Sequence, residues 1–455
     1  MKLISKFKSR YNNITYKTYQ TDNGMKVLHL DNPATSNFDF AIIHKAGSAY
    51  EDQEGVPRGT AHFLEHMLLN PNDTFKDKDE INRFEQGSIN KPKIDINAFT
   101  NRRFITFTGY GNDKAKLRIL DRLESIYIFN KKILSKYIER EREIILAEKS
   151  RKLKKEKDSM LMSLDFLFKG IQDEYTGDVL GEVVNIKKIS MDNLEEFFIN
   201  RISKDSTVLA IQSNGELSSN VITKIEKISN TIPHKKVKPF NSVELKNKWR
   251  VGAFSDERAN GISITFLYFE KLKKRINYKD HVVRYLLSKL FDWLAFEILR
   301  EKMGLIYNFN SFRTPAITLG YSTYGYKFTT EKEKIVKVLD EFHKLIYEET
   351  FKFLKTNKGK EWFEDIISEY IFPRTSSYDE TLGEDTATKT IMDMEIFNYN
   401  KAVREAKSVT INDVVLYLKE RLKIPPHIWI ESDMSKEEML AIIKDSPFEK
   451  EFSSV

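Results

Sequence analysis

The sequence predicts an α+β protein built from two homologous α/β-sandwich halves, each a mainly antiparallel sheet flanked by helices. Three observations point there. The chain has 455 residues, more than one hydrophobic core organises. Apolar segments of period two, bounded by Gly, Pro and Asn, occur among longer segments of helical period. The element order of residues 1–232 partly recurs in 249–455, after a polar, proline-containing linker at 233–248.

Residues 14–19 and 26–30 are strand-like about Asn23-Gly24, the dipeptide of a tight hairpin. Residues 38–45 are apolar and β-rich, and 51–59 form a polar loop with Gly55, Pro57 and Gly59. A helix is expected over 60–69, with Thr60 placed to cap it. Strands follow at 96–99 and 104–110, then helices at 114–126 and 135–153. A short helix at 193–200 and a strand at 207–212, closed by Asn214-Gly215, end the first half. The second half opens with a strand at 262–269 and a long helix at 281–301. Strands at 307–313 and 320–328, helices at 331–356, 362–371 and 412–422, and a strand at 427–431 complete it. The two halves share a pattern of elements without evident identity.

The 74 Lys and Arg are offset by 67 Asp and Glu, a net charge of +7. This reads as a mixed, solvated surface, and the sequence shows no concentrated basic patch of the kind a nucleic acid selects. No cysteine is present, which excludes disulfides, thiolate metal ligands and thiol nucleophiles and fits a reducing compartment. No apolar run approaches the roughly 18 residues of a membrane span. Residues 1–10 are basic but lack the roughly 7–15-residue apolar core of a secretory signal. A cytoplasmic location is the expectation.

The segment His62-Phe63-Leu64-Glu65-His66 carries the chemistry. Its polar residues fall at i, i+3 and i+4, neighbours on one helix face. Two imidazoles one turn apart can close on one metal ion, with a carboxylate beside them for proton transfer. The surrounding Ala61, Phe63, Leu64, Met67, Leu68 and Leu69 make the helix apolar almost all round, hence buried. Buried imidazoles and a carboxylate need partners, which a metal supplies. The alternative is a chance match in which core histidines bond to backbone.

A third ligand is sought downstream, in Ile138-Glu-Arg-Glu-Arg-Glu-Ile-Ile-Leu-Ala-Glu148. A glutamate run is ordinarily a solvated helix face. Glu141 and Glu148, however, are seven apart and share a face within about 20°. Ile138, Ile144 and Ile145 are expected on the same side, Glu139 and Glu143 toward water, and Arg140 and Arg142 elsewhere. Carboxylates on an apolar stripe are costly without a cation, so one of Glu141 and Glu148 is expected to be a metal ligand.

These residues resemble the pitrilysin/insulinase family of inverted-zincin metallopeptidases. Ala46-Gly47-Ser48-Ala49-Tyr50-Glu51 and Gly59 resemble the family's approach to its zinc helix, and Ile96-Asn97-Ala98-Phe99-Thr100 its substrate-pairing strand. Residues 138–148 resemble its third-ligand helix, especially in mitochondrial processing peptidase, and Gly181 with 187–198 a later helix entry. The resemblance covers most of residues 14–230. It implies that His62, His66 and Glu148 hold one zinc ion per chain, that Glu65 is the general base, and that Glu141 assists. Asn97, Ala98 and Phe99 would hold substrate. One departure is that positions 66 and 148 lie 82 apart, a few more than is usual, the excess being placed at Lys91-Pro92-Lys93. In the second half, Leu299 to Tyr307 resembles a block whose arginine and tyrosine, here Arg300 and Tyr307, reach substrate and stabilise an oxyanion. Read without the resemblance, Arg300 closes a helix end and Tyr307 is a strand core residue. The remaining histidines lack ligand spacing.

The expectation is a zinc-dependent endopeptidase acting on extended or unfolded peptides, paired as a homodimer or with a related subunit. The competing reading is a non-catalytic or presenting subunit of a processing-peptidase-like complex. The complete set of ligands and base argues against that. A structural metal site would need a fourth protein ligand, for which the sequence offers no good candidate.

Overall fold

The computed structural model describes residues 1–9, 12–155, 178–238, 251–257, 259–271, 273–314, 321–372 and 381–452. They fall into two compact units, residues 1–154, 178–238 and 381–399 in the first and 251–372 and 400–452 in the second.

The first unit holds strands β1 (Lys2–Lys8), β2 (Thr15–Gln20), β3 (Lys26–Asp31), β4 (Asn37–His44), β5 (Ile94–Thr100), β6 (Ile105–Asn112) and β7 (Thr207–Ser213). They form one sheet in the order β1-β2-β3-β7-β4-β6-β5. Only β3 and β7 run parallel; the other neighbours are antiparallel. The central β4 and β7 are buried on both faces, which is why they read as continuous apolar runs without alternation. Its principal helices are α1 (Thr60–Leu68), α2 (Lys116–Ile126), α3 (Ile138–Lys155), α4 (Met191–Arg201) and α5 (Ser219–Thr231). Phe63, Met67, Leu120, Leu123, Ile145, Phe197 and Ile225 from these helices share one core with Phe38, Phe40, Ile42 and Phe107 of the sheet. Strand β1 was not anticipated. Its side chains are almost all exposed, so backbone pairing with β2 and the Phe7–Tyr16 ring stack at 4.8 Å hold it, not a buried face.

The second unit holds β8 (Val251–Ser255), β9 (Ile262–Lys271), β10 (Asn308–Thr314), β11 (Tyr321–Thr330) and β12 (His427–Ser432), in the order β10-β11-β9-β12-β8. This repeats β5-β6-β4-β7-β3, with β8–β12 again the single parallel pair. The duplication read from element order is therefore present in the topology. Its principal helices are α6 (Tyr278–Leu294, continued in π-helical turns to Lys302), α7 (Ile335–Lys344), α8 (Asn357–Ile371), α10 (Ile411–Arg421) and α11 (Lys436–Lys444), while α9 (Leu382–Ile391), between α8 and α10 in the chain, belongs to the first unit. An aromatic cluster fills this core, with Phe266 4.8 Å from Phe448 and 5.1 Å from Phe342.

Two expectations about domain limits need adjustment. Helix α9 lies within the sequence of the second half yet packs on β4 and β7 of the first sheet, with Gly383 against Ala210. Residues 233–238 have no regular structure but are tied to the first unit. Ser203 Oγ donates to Lys235 O at 2.5 Å and Arg201 Nη1 to Lys238 O at 3.1 Å. The rest of the expected linker, 239–248, lies outside the described residues.

Candidate active site

Helix α1 begins at Gly59, whose φ of +99° is left-handed and suits glycine. A Cβ there would meet Leu180 O at 2.5 Å. Thr60 does not cap the helix as expected. It is already helical, and its hydroxyl donates backward to Pro57 O at 2.6 Å. Donors at the helix start are instead met by Glu51, whose two oxygens accept from Gly59 N (3.0 Å) and Ala61 N (2.7 Å). His62 and Glu65 are buried and His66 is half-buried.

Helix α3 runs opposite α1 and turns Glu141 inward, with only the edge of its buried face carrying Glu148. The centre of that face is Ile145. Ile144 points to solvent, and Arg142 is buried, donating to Ile189 O at 2.8 Å and lying over the Phe63 ring. The expected stripe was thus rotated. At 100° per residue, Ile145 sits 40° from Glu141 on the side of Arg142, while Ile144 sits 60° away on the other side. A long arginine can bury its stem there and spend its donors on backbone carbonyls.

Glu148 Oε2 lies 3.7 Å from His62 Nε2 and 3.7 Å from His66 Nε2. The three candidate ligand atoms fall within 4.8 Å of one another, the one such group among the described residues. Tetrahedral zinc with ligands at about 2.0–2.1 Å spaces its donors by roughly 3.4 Å, so the set fits with small adjustment. The other nitrogen of His66, Nδ1, is 3.2 Å from Glu141 Oε2. With Nδ1–H donating to Glu141, Nε2 keeps its lone pair on the side of Glu148, where a metal could be held, and the ring is oriented. Burial alone would lower the His66 pKa, but the Glu141 bond and the surrounding carboxylates raise it. Burial pushes Glu141 up, yet its bonds to His66 and Asn70 and the charge of Lys78 bring it below the ordinary carboxylate value.

Glu65 sits on the same face of α1. Burial raises its pKa, partly offset by the Thr100 hydroxyl, which donates to Glu65 Oε2 at 2.5 Å. Thr100 ends β5, the edge strand of the sheet. Asn97, Ala98 and Phe99 pair with Thr108, Phe107 and Thr106 of β6, and the other edge of β5 has no strand partner among the described residues. A peptide laid on that edge would run alongside Glu65.

Arg300 and Tyr307 belong to the second unit. Arg300 stacks on Phe296 at 5.0 Å, is 3.7 Å from Glu301, and lines a cavity of about 520 Å³ with Trp293, Phe309 and Trp362. Tyr307 is 56% exposed and donates to Glu331 Oε1 at 2.9 Å, so the strand-core reading does not hold. The helix end is closed by Gly304, whose φ is +60° and whose N–H bonds Arg300 O at 2.9 Å.

Three participants were missed from sequence: Glu51, Thr100, and Asn70, which donates to His66 O at 2.9 Å and bonds Glu141. Thr100 directly follows the expected substrate strand and could have been weighed. Asn70 and Glu51 act through tertiary contacts that spacing does not encode.

Residues 26–167 match the family model described as insulinase, peptidase family M16, and residues 188–350 match the one described as peptidase M16 inactive domain. The chain belongs to the insulinase family, peptidase family M16. Within M16, it is 25% identical over 288 residues to a probable zinc protease PqqL of Haemophilus influenzae, covering 60% of this chain and 30% of that one. It is 30% identical over 200 residues to the mitochondrial-processing peptidase subunit beta of Saccharomyces cerevisiae, covering 43% of this chain and 40% of the relative. The chain thus spans less than half the length of each. The first half of the periplasmic protease PqqL from Escherichia coli has the same fold, with a TM-score of 0.72 at 13% identity over 97% of this chain and 98% of that one.

Proposed function

We propose that this M16 protein is a zinc-dependent endopeptidase that cleaves extended or unfolded polypeptide segments. Relatives at family level are peptidases. The finer reading rests on one observation above others. Two imidazoles and a carboxylate converge within 4.8 Å beside a buried, hydroxyl-bonded glutamate.

His62, His66 and Glu148 would hold the ion. Zinc, when bound, supplies a Lewis acid that makes water nucleophilic near neutral pH. Glu65 accepts the proton of the attacking water on one carboxylate oxygen and returns it to the departing amine. Thr100 holds the other oxygen, so the carboxylate does not rotate during transfer. The raised pKa of Glu65 brings it closer to the operating pH, which suits a group that must both take and give a proton. The open edge of β5 reads peptide backbone through strand addition, which selects extended segments more than particular side chains. Arg300 and Tyr307 are proposed to contact substrate, and a homodimer or a pair with a related subunit to be the working form. The name of the yeast relative, a subunit, supports the pairing.

The test is Glu65→Gln, assayed for bound zinc and for cleavage of a mixed peptide library. Zinc should be retained at one per chain, while kcat falls by about 10²–10⁴. Full activity in the variant, or a native chain that cannot be loaded with zinc, would overturn the reading.

A further inference from the structure

We propose that Glu51 is a positioning residue for the metal helix. Its carboxylate serves as the missing N-terminal cap of α1 and so fixes where His62 and Glu65 stand. This inference rests on the proposed metal site, but its observations do not.

The first turn of a helix leaves backbone N–H groups without intrahelical partners. On a surface helix, water or an N-cap side chain satisfies them. Neither is possible here. Thr60, Ala61, His62 and Phe63 are all buried. The cap position is Gly59, where no side chain fits because Leu180 O occupies the space of a Cβ. The reverse also holds, since a Cβ on Gly181 would meet Arg58 O at 2.2 Å. These two backbones are pressed together at the root of α1, and a cap must come from elsewhere.

Glu51 supplies it from eight residues upstream. The residue is 1% exposed. Both its hydrogen-bond partners are at the start of α1, Gly59 N on Oε2 and Ala61 N on Oε1, while Pro57 O takes Thr60 N at 3.2 Å. The adjacent guanidinium, Arg58, is engaged by Asp52 through Nη2 at 2.7 Å and Nε at 3.2 Å. Holding a carboxylate in this interior is expensive, and burial pushes its pKa up to about 8. Its hydrogen-bonding return is confined to the helix that carries His62 one residue beyond Ala61. The positive end of the helix dipole adds to that return.

Only the two-oxygen acceptor suits two convergent donors. Glu51→Gln keeps the shape but turns an NH2 group toward one of the N–H groups. In the full chain three measurements follow. Hydrogen exchange of the zinc-free protein should speed up on the order of ten-fold across residues 57–66, as a lost cap predicts. Zinc affinity, by competition with a chelator, should weaken on the order of ten-fold. At saturating zinc, kcat should fall several-fold with KM within about two-fold, because the base is displaced while the β5 edge is not. Glu51→Asp, which keeps a carboxyl group with two acceptor oxygens, should recover part of each loss. A Gln variant that exchanges and binds zinc like the native chain overturns the proposal. So does one that merely melts earlier with unchanged zinc affinity and kcat, which would make Glu51 a residue of the fold alone. A native chain that takes no zinc would sink the proposed function, yet the exchange measurement would still decide the cap.

Discussion

The two units use one topology for different chemistry. In the first, α1 lies between β4 and β5 in the chain and faces α3; in the second, α6 lies between β9 and β10 and meets α8. His62 and His66, an i, i+4 pair on α1, both approach Glu148 of α3. Tyr285 and Lys289, an i, i+4 pair on α6, both approach Glu369 of α8, at 3.0 Å from Tyr285 Oη and 3.5 Å from Lys289 Nζ. Each unit thus closes two helices through one carboxylate. The second does so with a phenol and an ammonium, neither of which ligates zinc in that form, so the cation is built in. The scaffold sets where two helices meet, and two side chains decide whether a metal could be held there.

The comparison breaks most sharply at the carboxylates. Glu148→Ala should abolish stoichiometric zinc and all measurable peptidase activity, since two imidazoles alone do not make a three-ligand site. Glu369→Ala should leave zinc at one per chain and activity within about two-fold, because it removes a mostly exposed ion pair of small worth. Metal analysis of the two purified variants decides this. Zinc loss in Glu369→Ala would show that the second unit is not the inert counterpart described. Glu139→Ala and Glu143→Ala should behave like wild type, both residues being exposed.

The same comparison can be sharpened by conversion. Tyr285→His combined with Lys289→His places two imidazoles at the i, i+4 spacing opposite Glu369. The double variant is expected to bind a second zinc ion, more weakly than the first. The reason is that the His66 ring is oriented by Glu141, and loss of such a support typically costs about 10–100-fold in affinity. A stoichiometry that stays at one would mean the α6–α8 spacing does not match that of α1–α3.

How much of this was legible follows from what each feature depends on. The pentapeptide, the edge strand and the seven-residue spacing of Glu141 and Glu148 are local periodicities, and local periodicity is what a sequence displays. Strands β9 to β12 of the second unit follow from the same alternation, whereas β8 was not read. Strand β1 was invisible because no face of it is buried. Helix α9 was not read from the sequence, and its packing on the first sheet leaves no mark in the residues around it. Arg142 faces away from Glu141 and Glu148 as expected, but its burial was not legible, because its donors are spent on Glu139 and, through tertiary packing, on Ile186 O and Ile189 O. Glu51 looked like one more polar loop residue, since its role depends on how the chain folds back on α1.

A moderate effect is expected at Thr100. Thr100→Val removes one hydrogen bond to a charged group, worth roughly 1.5–3 kcal/mol, and should lower kcat by about 10–100-fold with zinc retained. That bond lowers the Glu65 pKa, so its loss should move the acid limb of the kcat/KM profile to higher pH. An unmoved limb would detach Thr100 from the base.

The last effect concerns stability rather than catalysis and again separates the units. The first sheet buries His29 and His44 completely, whereas His427 of the second sheet is half-buried. His44 lies 2.7 Å from Thr207 Oγ1 and 2.8 Å from Tyr127 Oη, and burial lowers its pKa to about 3. Burial likewise lowers His29 to about 4. Unfolding restores both to about 6.5, so below that pH the unfolded chain binds more protons than the native one. Their contribution is fully present above about pH 6.5 and is lost as pH falls toward 4 for His29 and 3 for His44, at up to ~1.4 kcal/mol per pH unit for each. In zinc-free protein, urea unfolding followed from pH 7 to 4 should therefore show the first unit losing stability sooner than the second. His44→Gln, which keeps a polar partner but cannot titrate, should flatten that slope by about half. An unchanged slope would assign the acid sensitivity to other groups.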